Sequence, residues 1–237
     1  MGGFADVMLT EFSRDEFISY INQQLINIFC YTADTEELGK YYDEAIKRTE
    51  YCFSVTQNKY YKNVNGVSCF SPFHSGQYSI FLYYLAHSAF KNGNSALATK
   101  IYFLNKTLNC VEWYYEIELP DVFGVEHPIG SVLGRAKYGN GFFVYQGCTV
   151  GANKKVYPTL GDNVLLYANA TILGNCHIGN NVIVSACTYI KDEDIPDNCI
   201  VFGRSPNLIK KIYPAEIMEE KFSGFWDLQK MKLKKMC

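Results

Sequence analysis

From Leu160 to Ile190 an aliphatic side chain recurs at every sixth position: Leu160, Leu166, Ile172, Ile178, Val184 and Ile190. Four residues after each of the first five stands a small or β-branched partner: Val164, Ala170, Cys176, Val182 and Thr188. An α-helix repeats about every 3.6 residues and a strand about every 2, so neither accounts for this period. A short strand, a corner and another short strand do, stacked as the faces of a triangular prism. The aliphatic residue points inward and its small neighbour lets the chain bend. Units this short cannot bury an apolar face singly, so the pattern predicts a coil of parallel strands.

The rhythm can be followed back to Val144 and Val150, after which ten residues instead of six lead to Leu160. The four extra residues fall within Ala152–Thr159 and predict an extruded loop, which in a regular coil usually serves something other than packing. Beyond Ile190 the rhythm ends in Asp192-Glu193-Asp194-Ile195-Pro196, followed by Gly203-Arg204-Ser205-Pro206. Ala215 to Cys237 reads as a basic terminal helix with no assigned function.

The N-terminal part has helical periodicity. Ser13 with Glu16 forms a capping box ahead of Phe17, Ile18, Ile21, Leu25 and Ile28. A second helix starts after Thr35 and runs toward Tyr51, residues 53–74 read as loop, and Ser75 to Lys91 reads as a third helix stopped by Asn92-Gly93. Ser95 opens a fourth that ends near Asn109. The segment from Tyr115 to Val125 is extended and broken by Pro120, with Gly130, Gly134 and Gly139 at turn-like spacing. The fold class is therefore α+β: a helical domain over 1–112, a parallel β-helix over 113–203 and a C-terminal tail over 204–237.

A net charge of −2 with 19% charged residues gives no global field for nucleic acid or a membrane surface. The nine cysteines contain no CxxC pair and no ligand-like cluster with histidine, so no metal site is expected. Three of them occupy or flank small positions of the repeat, which fits reduced thiols in a cytoplasmic protein. The N-terminus lacks a signal-like sequence, Met1-Gly2 lacks the context for myristoylation, and Ser79–Phe90 is too short to span a bilayer. Most of the nineteen tyrosines and sixteen phenylalanines precede residue 146, which predicts an aromatic packing layer.

Taken together, these residues resemble the hexapeptide-repeat acyltransferases, and within them the serine O-acetyltransferase family. Three features over roughly residues 70–212 carry the likeness. One is the repeat, which in this family implies a left-handed parallel β-helix. The second is the helical domain, the extended strand ending at Pro120, then Glu126-His127 and Gly147-Cys148-Thr149-Val150-Gly151, similar to the family's Asp-His segment and its Val-Thr-Leu-Gly-Gly. The third is Phe202-Gly203-Arg204-Ser205-Pro206, similar to the Gly-x-Pro tail that lies along the coenzyme A arm.

The resemblance implies an acetyl-CoA-dependent O-acetyltransferase. Moving acetyl from a thioester to a hydroxyl needs a base for the alcohol proton, and an imidazole titrates in the right range. His127 stands at the family's catalytic position. A carboxylate would hold its tautomer and stabilise the imidazolium. At the family's carboxylate position this chain has Ile117, flanked by Glu118, the preferred partner, and Glu116. Glu126 replaces a substrate-contacting Asp. Tyr157-Pro158 replaces a His-Pro pair whose histidine helps bind serine. That change leans toward another hydroxyl, on a sugar or a small molecule. The resemblance also implies a trimer, or a dimer of trimers, with coenzyme A between adjacent prisms. Ala168, Asn169, Ser185 and Ala186 would receive the pantetheine, Arg204, Lys210 and Lys211 the phosphates, and Gly151 would supply an oxyanion donor. Lys154 and Lys155 of the extruded loop would close over the acyl group.

Each of these residues also has a purely structural reading. His74 could cap the third helix or line the acceptor pocket. His87 reads as packing and His177 as an exposed corner. Glu112, Glu116 and Glu118 could be solvated strand residues, and Arg204, Lys210 and Lys211 ordinary surface charge. The alternatives at the level of function are serine O-acetylation in cysteine biosynthesis, sugar N-acetylation, and a non-catalytic trimeric β-helix scaffold.

Overall fold

The computed structural model describes residues 8–234. Met1, Gly2 and Cys237 lie outside the described residues. Four helices build the N-terminal part: α1 (Arg14–Phe29), α2 (Thr35–Val55), α3 (Ser75–Lys91) and α4 (Ser95–Asn109). The capping box at Ser13 and Glu16 forms as expected. The segment 53–74 is less irregular than its composition suggests. It opens with the last turn of α2 and holds a short 3-10 turn at Lys59–Tyr61. It then adds β2 (Cys69–Phe70), which pairs in parallel with β1 (Leu9–Thr10). The aromatic layer is real: Phe17 packs within 5.3 Å of both Phe70 and Phe81, centroid to centroid. Helix α3 is buried almost throughout, because the other helices and the β-helix both close over it.

The β-helix has about five coils, and they start earlier than the six-residue rhythm. The first contains β3 (Glu112–Trp113) and β4 (Phe123–Val125); the second β5 (Val132–Leu133) and β6 (Phe142–Val144). The third contains β7 (Thr149–Gly151), β8 (Thr159–Leu160) and β9 (Val164–Leu166); the fourth β10 (Thr171–Leu173), β11 (His177–Ile178) and β12 (Val182–Val184). The fifth contains β13 (Tyr189–Lys191) and β14 (Cys199–Arg204). Parallel pairing sorts them into three faces: β3-β5-β7-β10-β13, β8-β11, and β4-β6-β9-β12-β14. Ile172 pairs with Ile190, 18 residues on, and with Val150, 22 residues back. Those four surplus residues are the extruded loop. All eleven aliphatic and small repeat positions from Leu160 to Ile190 are buried.

Corners of the prism are built from residues that tolerate a left-handed backbone. Asn163, Asn181 and Asn198 have φ of 55°, 54° and 54°, and their side-chain amides bond one another up the prism at 2.9 Å.

The C-terminal segment is not a single basic helix. β15 (Asn207–Ile212) turns back antiparallel along β14, and α5 (Ala215–Ser223) and α6 (Leu228–Lys234) follow, separated by Gly224–Asp227. Together these descend over the third face. Phe143, Leu165 and Ile183, pointing outward from β6, β9 and β12, are buried against Met218, Phe222, Trp226 and Met231. The Trp226 indole N–H donates to the Gly141 carbonyl at 3.1 Å, and the Asp227 N–H donates to the Val55 carbonyl at the end of α2. Trp226 and Asp227 thus tie the helical part to the coil. Among the described residues no helix is long and apolar enough to cross a membrane.

Candidate active site

The regular corner between the third and first faces holds four residues: Tyr145–Cys148, Tyr167–Ala170 and Ser185–Thr188 in successive coils. In the first coil the same corner, from Val125 to Val132, holds six, 126–131. The backbone pattern identifies the surplus. The Gly147 N–H bonds the Ile129 carbonyl, just as Asn169 N–H bonds Gln146 and Cys187 N–H bonds Ala168. Ile129, Gln146, Ala168 and Ala186 are therefore equivalent, and so are Glu126, Tyr145, Tyr167 and Ser185. His127 and Pro128 are the two inserted residues. His127 sits at φ 48°, a costly conformation for a residue with a β-carbon, and its side chain is exposed at the prism edge.

Beside it, Glu126 is half-buried, and its carboxylate acts on the Tyr145 hydroxyl of the next coil. Burial and that carboxylate push the Tyr145 hydroxyl well above the usual phenol range. Tyr145 stacks on Tyr167 at 5.1 Å.

His74 comes from the helical part. It is the N-cap of α3, and its Nδ1 accepts the Gln77 N–H at 3.2 Å, so a neutral ring carries its proton on Nε2. Burial is the main reason its pKa falls below the ordinary histidine value, and His127 lowers it further. His74 therefore both caps its helix and faces the site. A cleft of about 450 Å³ is lined by His74, Glu126 and His127, with Asn58, Tyr60, Phe73 and Ser75 around them.

The other expected residues divide between places. Ala168, Asn169, Ser185 and Ala186 lie together on the His127 edge, with Ala186 three coils along. Arg204 ends β14 where that strand crosses the edge, and its guanidinium lies 4.6 Å from the Tyr189 ring centre. Lys210 is engaged by Glu193 at 2.8 Å and by the Asp194 carbonyl, and Lys211 lies over Phe202.

At the opposite edge of the first face are Gly151, the extruded loop and Tyr157. Glu116 is there too, paired to Arg135 at 2.7 Å. Glu118 is held elsewhere, by Lys91 at 2.7 Å with His87 Nε2 3.4 Å away, and the Lys91 bond keeps its carboxyl below the usual range. Ile117, between these two glutamates, is buried. The extruded loop is a tight hairpin in which Asn153 and Val156 exchange both backbone bonds around Lys154 and Lys155. Its Asn153 amide is tied to Asp192 at 2.5 Å. His87 is packed, as expected, with Nδ1 on the Tyr115 carbonyl, and Glu112 is held by Tyr102 and Lys106. His177 is exposed but lies on β11, not at a corner, beside Asp194.

Tyr145, Tyr60, Phe73 and Asn58 were not anticipated. Tyr145 could have been: it follows Val144 of the rhythm and lies one coil above Glu126. The other three belong to a loop whose path no repeat encodes.

The model of the bacterial transferase hexapeptide (six repeats) matches residues 157–192. The chain carries hexapeptide repeats and resembles the serine O-acetyltransferases. Serine acetyltransferase of Staphylococcus epidermidis is 27% identical over 143 residues, covering 58% of this chain and 67% of the relative. Serine acetyltransferase of Neisseria gonorrhoeae superposes with a TM-score of 0.66 at 20% identity, covering 89% of this chain and 84% of its own. A serine acetyltransferase solved in complex with CoA superposes with a TM-score of 0.67 at 16% identity, covering 85% and 86%. At these identities the structural matches speak for the fold. They extend the likeness through the helical part, well beyond the 36 residues (157 to 192) that the repeat model reaches.

Proposed function

We propose that this serine acetyltransferase-like chain is an acetyl-CoA-dependent O-acetyltransferase with His127 as general base. The observation that carries the reading is the widened corner. In a coil that otherwise repeats closely, the two inserted residues present an imidazole next to a carboxylate at a cleft. Insertion places the ring beyond the regular edge, where an acceptor can reach it.

Acetyl-CoA supplies the thioester. The edge above the insertion suits its arm. Ala168 and Ala186 keep side chains small there, and three coils span about 14 Å at one strand spacing per coil. Arg204 at the far end is the cation best placed for phosphate, since Lys210 is already paired with Glu193. His127 takes the hydroxyl proton as the acceptor oxygen attacks the carbonyl. The carbon–sulfur bond breaks, and the proton passes to the departing thiolate. Glu126 binds the acceptor and favours the imidazolium, with Tyr145 keeping it in place. Neither Glu116 nor Glu118 faces this edge in its own chain, so Glu126 is the nearer carboxylate. The resemblance to a trimeric family supports a second contribution: Tyr157, Arg135, Glu116, Gly151 and the Lys154-Lys155 turn on the opposite edge would meet His127 of a neighbouring copy.

The names of the relatives support serine as acceptor, and Tyr157 in place of the family's histidine supports another hydroxyl. Thiol release from acetyl-CoA tests the activity itself. Release that depends on an added hydroxyl compound is expected; release indifferent to every acceptor, or none at all, refutes the reading.

A further inference from the structure

We infer that the acceptor is a neutral sugar or similar polyol, held against Tyr60 and Phe73. This rests on the O-acetyltransferase reading above and names the class of substrate for the same site.

The cleft beside His127 has three properties that together point to this chemistry. First, none of the described residues lining it is lysine or arginine, and its one formal charge is the Glu126 carboxylate. A polyol needs acceptors and donors and no fixed cation. Here it finds the Glu126 carboxylate, the Asn58 amide, the Ser75 hydroxyl and the His74 Nε2–H, whose tautomer is set by the Gln77 bond.

Second, the cleft mouth carries two aromatic rings that stay largely exposed to solvent. Phe73 is 69% exposed and Tyr60 is 61% exposed, in a chain whose other N-terminal aromatics are mostly buried. Lys59 lies over the Tyr60 ring at 5.0 Å. Exposed rings at a polar cleft provide apolar area with little side-chain entropy to lose, which suits the C–H faces of a sugar ring.

Third, the space is larger than an amino acid requires. A second cleft of about 400 Å³, lined by Glu11, Ser71 and Gln77, shares Tyr60 and His74 with the first. The two residues form a rib between adjoining lobes, so an acceptor of more than one ring can lie across it.

In the reaction, a ring hydroxyl bound by Glu126 and His74 attacks the acetyl carbonyl. The products are a sugar acetate ester and free coenzyme A thiol.

The test has two arms, both on the full-length chain. In turnover, thiol release is measured with methyl glycosides and disaccharides and with L-serine. The expected result is a higher kcat/KM for at least one neutral sugar than for L-serine, with Tyr60→Ala and Phe73→Ala each raising the sugar KM about tenfold while kcat changes little. In binding, saturation-transfer NMR follows the same methyl glycosides without acetyl-CoA. Signals that weaken in both variants are expected. L-serine outperforming every sugar, with no sugar signal, overturns the acceptor class and leaves acetyl transfer standing. Sugar binding without acceptor-dependent thiol release overturns the transfer reading and leaves the sugar site.

Discussion

The Glu126 carboxylate acts on the Tyr145 hydroxyl one coil above, so the residue beside His127 has a polar neighbour that the repeat itself places. The two residues occupy equivalent corner positions of successive coils, and the Tyr145 ring is in turn stacked on Tyr167. Tyr145→Phe keeps the stack and removes the hydroxyl on which Glu126 acts. Losing a polar partner of a charged group costs roughly 1.5–3 kcal/mol, so the acceptor KM is expected to rise about tenfold or more. Steady-state thiol release checks this. An unchanged KM would remove Glu126 from acceptor binding.

Trp226 fastens the C-terminal segment to the third face, where it is 1% exposed and meets Gly124 and Phe143. Trp226→Ala is expected to cost about 3–5 kcal/mol in urea unfolding. Gly124→Ala would place a β-carbon 2.6 Å from the Phe143 ring and 2.7 Å from the Trp226 ring, so it is expected to destabilise by about 1–3 kcal/mol. Wild-type stability in either variant would mean that the segment does not clamp the coil.

His74 links the site to the pH dependence of stability. Burial lowers its folded-state pKa below the unfolded value of about 6.5, so the unfolded chain binds more protons in the window between the two. Its contribution is present above the unfolded value and is lost as the pH falls through it toward the folded one. Asn is also a good N-cap, so His74→Asn should keep the helix and lose less stability between pH 7 and pH 5 than wild type. His87 is shifted the same way by burial and is present in both proteins, so the difference reports His74. Equal losses would contradict the assignment.

Lys154 and Lys155 occupy the centre of the extruded hairpin with φ of 49° and 66°, the backbone that Asn-Gly adopts readily. Replacing them by Lys154→Asn with Lys155→Gly is expected to stabilise the chain by on the order of 1–2 kcal/mol. If the melting temperature does not rise, the two lysines are not strained.

Much of the coil was legible because a period of six has one structural meaning, and every repeat position from Leu160 to Ile190 points where that period requires. The first two coils were not legible as repeats. Glu112 pairs with Val132 at 20 residues and Val132 with Thr149 at 17, so the spacing that defines the rhythm is absent there. His127 was found through a resemblance, whereas its insertion into a corner shows only when coils are set in register. The clamp was hidden for a different reason. Phe143, Leu165 and Ile183 look like ordinary strand residues until α5 and α6 cover them. Likewise Glu116 and Glu118 could not be separated from the His127 edge by sequence, because their partners Arg135 and Lys91 lie 19 and 27 residues away.

The role of His127 is the centre of this account, and acetyl transfer by His127→Asn at saturating acetyl-CoA and acceptor tests it most directly. The account predicts a fall of about 10²–10⁴-fold in thiol release, with coenzyme A binding measured by calorimetry unchanged. Wild-type turnover in that variant would contradict it.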